Sequence, residues 1–326
     1  MMKRQNSINL KEIVDSFVFS LKADGRSHST CRYYSQPLKH FLKYAKAEDW
    51  PEQVHFIDSM MIRQFLSWVG SRSYEYIPGN GSRRCVIPGP STAWSYYKAL
   101  RRLFNWAIEE GLIKESPLKS IHYKAPAPAL VQPYTKDEIV RLIAVCDFDI
   151  RTGSRFVGLR NKVMLLLFID SAIRLKEMAG LYLGDVNIDD KIVRIIGKGG
   201  KEDICPFSNK TRKILIQYMF ERKSRAKTDA LWVTEEGNPF TVNGLSSWFD
   251  RLKKRANISG PGRIHRLRHT SALQYLRNTR NTFYLQLFLR HKDLSMSRRY
   301  TQGLTREEAI EAHQNGGSPV ESLGLD

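Results

Sequence analysis

A proline-rich stretch in the middle of the chain sets the terms for everything else. Residues 124–133, Lys-Ala-Pro-Ala-Pro-Ala-Leu-Val-Gln-Pro, hold three prolines among alanines. Proline fixes φ and removes a backbone donor, so the segment favours an extended, semi-rigid spacer over a packed element. Directly after it, Thr135-Lys-Asp-Glu138 has the form of a capping box opening a helix, with Ile139, Leu142 and Ile143 on its buried face. A chain interrupted in this way must bury a separate core on each side. Its 326 residues, 42% of them hydrophobic, suffice for two ordinary domains.

The first half reads as helices. Over residues 10–69, Ile13, Phe17 and Leu21 recur at helical spacing, as do Leu38, Phe41, Leu42 and Tyr44. Residues 71–90 break the pattern with Pro-Gly and Asn-Gly turns, and their flanks predict a small hairpin around Asn80-Gly81 with Arg83 and Arg84 at its tip. Helix resumes near Ser91 with a stripe of Trp94, Tyr97, Leu100, Phe104 and Ile108, and stops at Gly111. The second half is mixed. Helices are expected over 161–172 and 175–180, then near 209–223, 242–256, 266–278 and 281–290. Between them, Ile192–Ile196 and Ile204–Phe207 read as strands around Gly197-Lys-Gly-Gly-Lys-Glu202. The expected fold class is therefore mainly α with a small antiparallel β-sheet.

Charge narrows the function. Lys and Arg number 52 against 33 acids, a formal charge of +19, and such a field calls for a polyanionic partner. A spanning segment is excluded, because the longest apolar run is Val163–Ile169 and a bilayer needs roughly 20 residues. The N-terminus lacks an apolar h-region, and Cys31, Cys85, Cys146 and Cys205 form no CxxC or Cys/His pattern. The expectation is a reduced, cytoplasmic protein without a zinc finger. Residues 251–300 hold thirteen Lys or Arg and one acid, Asp293. A basic run is usually a solvated face; one this long, interleaved with His and apolar residues, reads as a phosphate-binding surface, with nucleic acid the first candidate partner and an anionic membrane surface the second.

The chemistry-bearing residues lie in the second half. There is no GxxxxGK[ST] loop and no HExxH, and the acids are too scattered for a two-metal site, so no metal or cofactor is expected. A phosphodiester could then be attacked only with cationic side chains stabilising its charge. Arg174 begins a helix in Ser171-Ala-Ile-Arg-Leu-Lys-Glu177, where Glu177 can hold its guanidinium. Lys198 sits in the glycine-bounded turn, and His265 and Arg268 share a helix face. His291 follows another helix, and Tyr300 comes nine residues later. Each piece alone is ordinary: a Gly-Lys-Gly tip is usually a turn, and Arg174 with Glu177 is a salt bridge. Order and spacing together carry the signal.

These motifs, with His265-Arg-Leu-Arg-His269 and Leu289-Arg-His-Lys-Asp-Leu-Ser-Met-Ser-Arg-Arg-Tyr300, resemble those of the tyrosine recombinases, the integrase family that includes Cre, the lambda integrase and the Xer proteins. The resemblance covers most of the chain. It implies a helical, SAM-like core-binding domain over 6–112, a linker over 113–133, an α+β catalytic domain over 134–314 and a flexible tail over 315–326. Two departures stand out: Arg290 occupies the place of the glycine in the family's Leu-Gly-His, and the 71–90 loop is longer than in compact members. No small β domain precedes residue 10, so the arm-site contact of lambda-type integrases is expected to be absent.

The implied function is site-specific DNA recombination through a 3′-phosphotyrosine, without metal or ATP. Tyr300 is the implied nucleophile, Arg174 and Arg268 the phosphate clamps, Lys198 the general acid, and His265 and His291 the groups that position the phosphate and assist proton transfer. Lys201, Lys253, Arg263 and Arg266 are the candidate DNA-backbone contacts. The resemblance also implies a homotetramer on two duplexes from a monomer in free solution. A helix opening at Thr305-Arg-Glu-Glu308 would either pack on its own domain or dock on a neighbour. The rival readings are a type IB topoisomerase-like nicking-closing enzyme and a non-catalytic DNA-binding protein on the same scaffold.

Overall fold

The computed structural model describes residues 8–76, 84–127, 132–197, 200–259 and 264–291, together with Asp293, Ser297, Tyr300, Glu308, Ile310 and Gln314. The chain divides into two compact units, Met1–Ala129 and Leu130–Asp326, and the division falls inside the proline-rich segment. Among the described residues both units are mainly helical, and each carries one small antiparallel sheet.

Unit 1 is built from α1 (Leu10–Ala23), α2 (His28–Ala47), α3 (Ser59–Ser71) and α4 (Pro90–Glu109). Each start is chemically marked. Asn9 and Glu12 form a capping box on α1, Ser27 and Asp58 cap α2 and α3, and Pro90 opens α4 with its fixed φ. Phe17, Phe41, Phe65 and Phe104 are fully buried at the centre, one from each helix. Burying a side chain of this size contributes about 1.5–3 kcal/mol. The short strands β1 (Tyr74–Tyr76) and β2 (Arg84–Val86) pair antiparallel, Tyr76 opposite Arg84. Arg84 therefore ends a strand instead of standing at the hairpin tip, and Arg83 and Asn80-Gly81 lie outside the described residues. The linker expected over 113–133 is also shorter than anticipated. Leu118 and Ile121 are buried in the core of unit 1, Tyr97 Oη donates to the Ile121 carbonyl at 3.1 Å, and Tyr123 stacks on Tyr97. Two apolar residues and a stacking ring outweighed the turn-like composition that suggested a spacer.

Unit 2 is organised around one buried helix. Its elements are α5 (Lys136–Arg151), α6 (Arg155–Ser171), α7 (Leu175–Ala179), β3 (Val186–Asn187), β4 (Ile192–Ile196), β5 (Glu202–Pro206), α8 (Asn209–Arg222), α9 (Val242–Arg255), α10 (His265–Thr279) and α11 (Thr282–Leu289). The capping box read from Thr135 and Glu138 is present at the start of α5. Helix α6 packs against α5, α8 and α10, and Leu159, Val163, Met164, Leu165, Leu167 and Phe168 are at 1% exposure or less. Gly158 permits this closeness, since a Cβ there would lie 2.6 Å from Ile150 N and 2.8 Å from the Cys146 carbonyl of α5. Gly158→Ala should therefore lower unfolding stability by about 1–3 kcal/mol through overpacking, read by urea denaturation of the full chain.

The sheet of unit 2 runs β3-β4-β5, all antiparallel, with Ile192 opposite Pro206 and Ile196 opposite Glu202. Val193, Ile195 and Cys205 face the core, and Ile196 and Ile204 face out. Between β4 and β5 the Gly197 amide donates to the Lys201 carbonyl at 2.7 Å, and Gly200 takes a φ of +76°, a left-handed geometry that suits glycine. Of the segment after Tyr300, Glu308 and Ile310 are helical, and the rest of the capped helix expected there lies outside the described residues, as does the tail 315–326.

Candidate active site

The site forms where three helix ends meet. Helix α6 stops at Ala172, which adopts a left-handed φ of 47°, and the chain turns at once into α7. Arg174 is the residue before α7, and its own amide donates to Glu177 Oε2 at 2.9 Å while Nη1 donates to Oε1 at 2.7 Å. Spacing of three along the helix start makes this double contact possible. The Arg174 side chain is 38% exposed and Glu177 6%, so the arginine presents an open face over a buried carboxylate. Burial alone opposes the Glu177 charge, yet the Arg174 hydrogen bonds and the charges of Arg290 and Arg174 hold its carboxyl below the usual range.

Arg268 comes from α10 and is buried. Its Nη1 donates to the carbonyl of Ala172, and its Nη2 donates to that of Leu289 at 2.7 Å. One guanidinium thus ties the C-terminal ends of α6 and α11, where helix dipoles leave carbonyls unpaired. Burial, then the neighbouring charges of Arg174 and Arg290, push its pKa down to about 10, which leaves it charged at neutrality. His265 opens α10 one turn earlier. Partial burial of its ring, and then the Arg268 charge, lower its pKa, so the neutral imidazole dominates at pH 7.

His291 follows α11 and is buried. Its Nδ1 lies 2.9 Å from Ser297 Oγ and its Nε2 3.4 Å from Arg268 Nη2. A guanidinium can only donate, so Nε2 accepts and Nδ1–H faces the serine. Tyr300 is 5% exposed, its ring 5.4 Å from that of His269 and near-parallel to His291 at 6.4 Å, over a floor of Ala172, Ala272, Leu276, Leu285 and Leu289. Arg174, Arg268, His265, His291 and Tyr300, spread over more than a hundred residues of sequence, are brought into one cluster.

The other expected site residues divide three ways. Lys198 and Arg263 lie outside the described residues. Lys201 is exposed at the base of the β4–β5 turn. Lys253 and Arg266 are engaged within unit 2 itself. Lys253 is buried on the inner side of α9, beside Phe249 and Leu252, while Arg251 and Lys254 face out. Arg266 donates to the carbonyls of Gln132 at 2.7 Å and Pro133 at 3.1 Å, pairs with Glu138 at 3.0 Å, and lies 4.0 Å over the Tyr134 ring. It fastens the entry strand of unit 2 onto α10.

Sequence reasoning underrated two residues. Glu177 was visible only as a partner for Arg174, and Arg290 only as a departure from a glycine. Arg290 ends α11 in a left-handed conformation, with φ of 55°, and its guanidinium turns inward onto Glu177. Ser297 carried no signal in the sequence. No group of three or more His, Cys, Asp or Glu side chains able to hold a metal occurs among the described residues, and no helix there is long and apolar enough to cross a membrane.

A SAM-like helical unit followed by a helix-rich unit with a three-stranded sheet, carrying this cluster, defines a tyrosine recombinase, an enzyme that breaks and rejoins DNA strands. The model of the phage integrase family matches residues 133–307, and that of the phage integrase SAM-like domain matches residues 9–125. The chain belongs to the phage integrase family. It is 29% identical to the tyrosine recombinase XerD of Ralstonia nicotianae over 299 residues, covering 89% of this chain and 88% of the relative. It is 27% identical to the tyrosine recombinase XerC of Thermodesulfovibrio yellowstonii, covering 90% and 92%. Among solved structures, the XerH site-specific recombinase bound to its palindromic difH substrate superposes with a TM-score of 0.68 at 21% identity, over 90% of this chain and 81% of that one.

Proposed function

We propose that Tyr300 is the nucleophile of a site-specific recombinase acting on double-stranded DNA. The phenol oxygen attacks a backbone phosphorus, the phosphorus–O5′ bond breaks, and a 3′-phosphotyrosine forms as the 5′-oxygen takes a proton. Attack by a 5′-hydroxyl reverses each step on the same or another strand, so no external energy source enters. The observation that supports the reading is the convergence of Arg268 and His291 beside Tyr300, with Arg174 near Arg268.

The parts divide the work. Arg174, open on one side, takes a non-bridging oxygen; Arg268 supplies a fixed positive charge behind it. Neutral His265 can accept the phenolic proton, and His291 orients the phosphate. Lys198 is the proposed acid for the leaving oxygen. Lys201 and Arg263 are proposed to hold the DNA backbone, with residues 6–112 as a second DNA-binding domain. A homotetramer assembled on two duplexes, from monomers in the cytoplasm, completes the proposal. DNA bound in the structure of the XerH recombinase supports the duplex as substrate.

The test is covalent capture on a pool of nicked duplexes in EDTA, resolved on denaturing gels, beside Tyr300→Phe. A metal-independent adduct confirms the reading, and tight DNA binding with no adduct across a well-sampled pool sinks it. The pH dependence adds a check on His265. Because its pKa lies below the ordinary 6.5, the neutral ring persists as pH falls and is lost only below that value. The capture rate should hold from pH 8 to about 6.5 and then drop. His265→Gln should lower the plateau and flatten that acid limb.

A further inference from the structure

We infer that Arg290 is a positioning residue of the active site, the second guanidinium on Glu177 that fixes the carboxylate orienting Arg174. The inference rests on the reading of the cluster proposed above. Three observations carry it. The first is commitment: the Arg290 side chain is 5% exposed. Its Nη2 pairs with Glu177 Oε2 at 3.3 Å, the same oxygen that accepts the Arg174 amide at 2.9 Å. Glu177 Oε1 is left for Arg174 Nη1 at 2.7 Å. One carboxylate is therefore held from both sides, and rotation of either arginine must disturb the other.

The second observation is the return contact. Arg174 Nη2 donates to the Arg290 carbonyl at 3.4 Å, so residue 290 grips Arg174 by its backbone and, through Glu177, by its side chain. The third is the cost of placing an arginine there. Arg290 sits at φ 55°, a region that favours glycine, and its buried Nε has no hydrogen-bond partner. A residue kept for helix termination alone would be better served by glycine. The arginine instead reaches the Ser171 carbonyl at 3.3 Å and its own Phe288 carbonyl at 3.1 Å, which seats the guanidinium between α6 and α11.

The electrostatic consequence separates this arrangement from a simple ion pair. Arg174 with Glu177 alone is neutral, and the carboxylate field cancels much of what Arg174 offers a phosphate. Adding Arg290 gives Glu177 a second counter-charge and leaves two guanidiniums on one carboxylate. Arg174 is then oriented without being neutralised.

The experiment measures single-turnover covalent capture on the nicked-duplex pool for the wild type, Arg290→Gly, Arg290→Met, Arg290→Lys, Glu177→Gln and Arg290→Gly with Glu177→Gln. Arg290→Gly is expected to slow capture about 10- to 30-fold with duplex affinity within about twofold, Arg290→Met to do the same, and Arg290→Lys to recover most of the rate. In the Glu177→Gln background the Arg290→Gly penalty should shrink to about twofold or less, because the route through the carboxylate is already cut. Unchanged capture in Arg290→Gly and Arg290→Met overturns the inference, and so does an equal penalty in both backgrounds, which marks a mere brace. If the wild type forms no adduct, the proposed function fails instead. The inference is then decided on the free protein by guanidinium nitrogen resonances of Arg174: immobile in the wild type and averaged in Arg290→Met supports it, and no change between the two overturns it.

Discussion

Replacing Tyr300 with Phe is expected to abolish covalent capture of DNA, a loss of at least about 10⁴-fold, while duplex binding on a native gel stays unchanged. The substitution removes one oxygen and no carbon. The ring keeps its floor of Ala172, Ala272, Leu276, Leu285 and Leu289 and its contact with His269 and His291, so the fold has little reason to respond. Loss of a hydrogen bond from the phenol should cost at most about 1.5 kcal/mol of stability. Two readouts keep catalysis and folding apart: the denaturing gel for the adduct and thermal unfolding for the protein. Residual adduct in Tyr300→Phe would reassign the nucleophile to another side chain.

Arg268→Ala should show the second largest effect, and unlike the tyrosine it should register in both readouts. Removing a preorganised cation from a phosphoryl-transfer site costs about 10²–10³ in rate. The same truncation removes the Arg268 hydrogen bonds to the carbonyls of Ala172 and Leu289 at two helix ends, which should lower stability by about 2–3 kcal/mol. Arg268→Lys separates the two. An ammonium keeps a charge at neutral pH but is a point donor that cannot bridge both carbonyls, so part of the stability returns while the rate stays low. Full recovery of capture by lysine would mean that charge alone, without the guanidinium fork, is what the site requires.

How much of this was visible in the sequence depended on whether a signal was local. The capping box at Thr135 and Glu138 and the glycine-bounded turn between β4 and β5 were legible because their chemistry lies within a few residues. Arg174 and Glu177 were legible as a pair for the same reason. Charge could be counted but not aimed: Lys253 and Arg266 belong to a strongly basic stretch, yet one is turned into the core of α9 and the other is spent on Gln132, Pro133 and Glu138. Only tertiary structure decides which side of a helix faces water. Strand β3, two residues long, offers no alternation to read. Arg290 was the most instructive. As a letter it was a misfit in a motif; as a side chain it completes the electrostatics of Glu177 from 113 residues away.

The knot at Ala172 has a consequence for the order in which unit 2 can assemble. The carbonyl at the end of α6 waits for guanidiniums from Arg268 and Arg290, and the aromatic ring of Tyr300 closes over the same spot. All three come from at least 96 residues along the chain from Ala172. Closure over Ala172 is therefore a long-range step, whose loop-closure entropy is lost before the contacts that offset it can form.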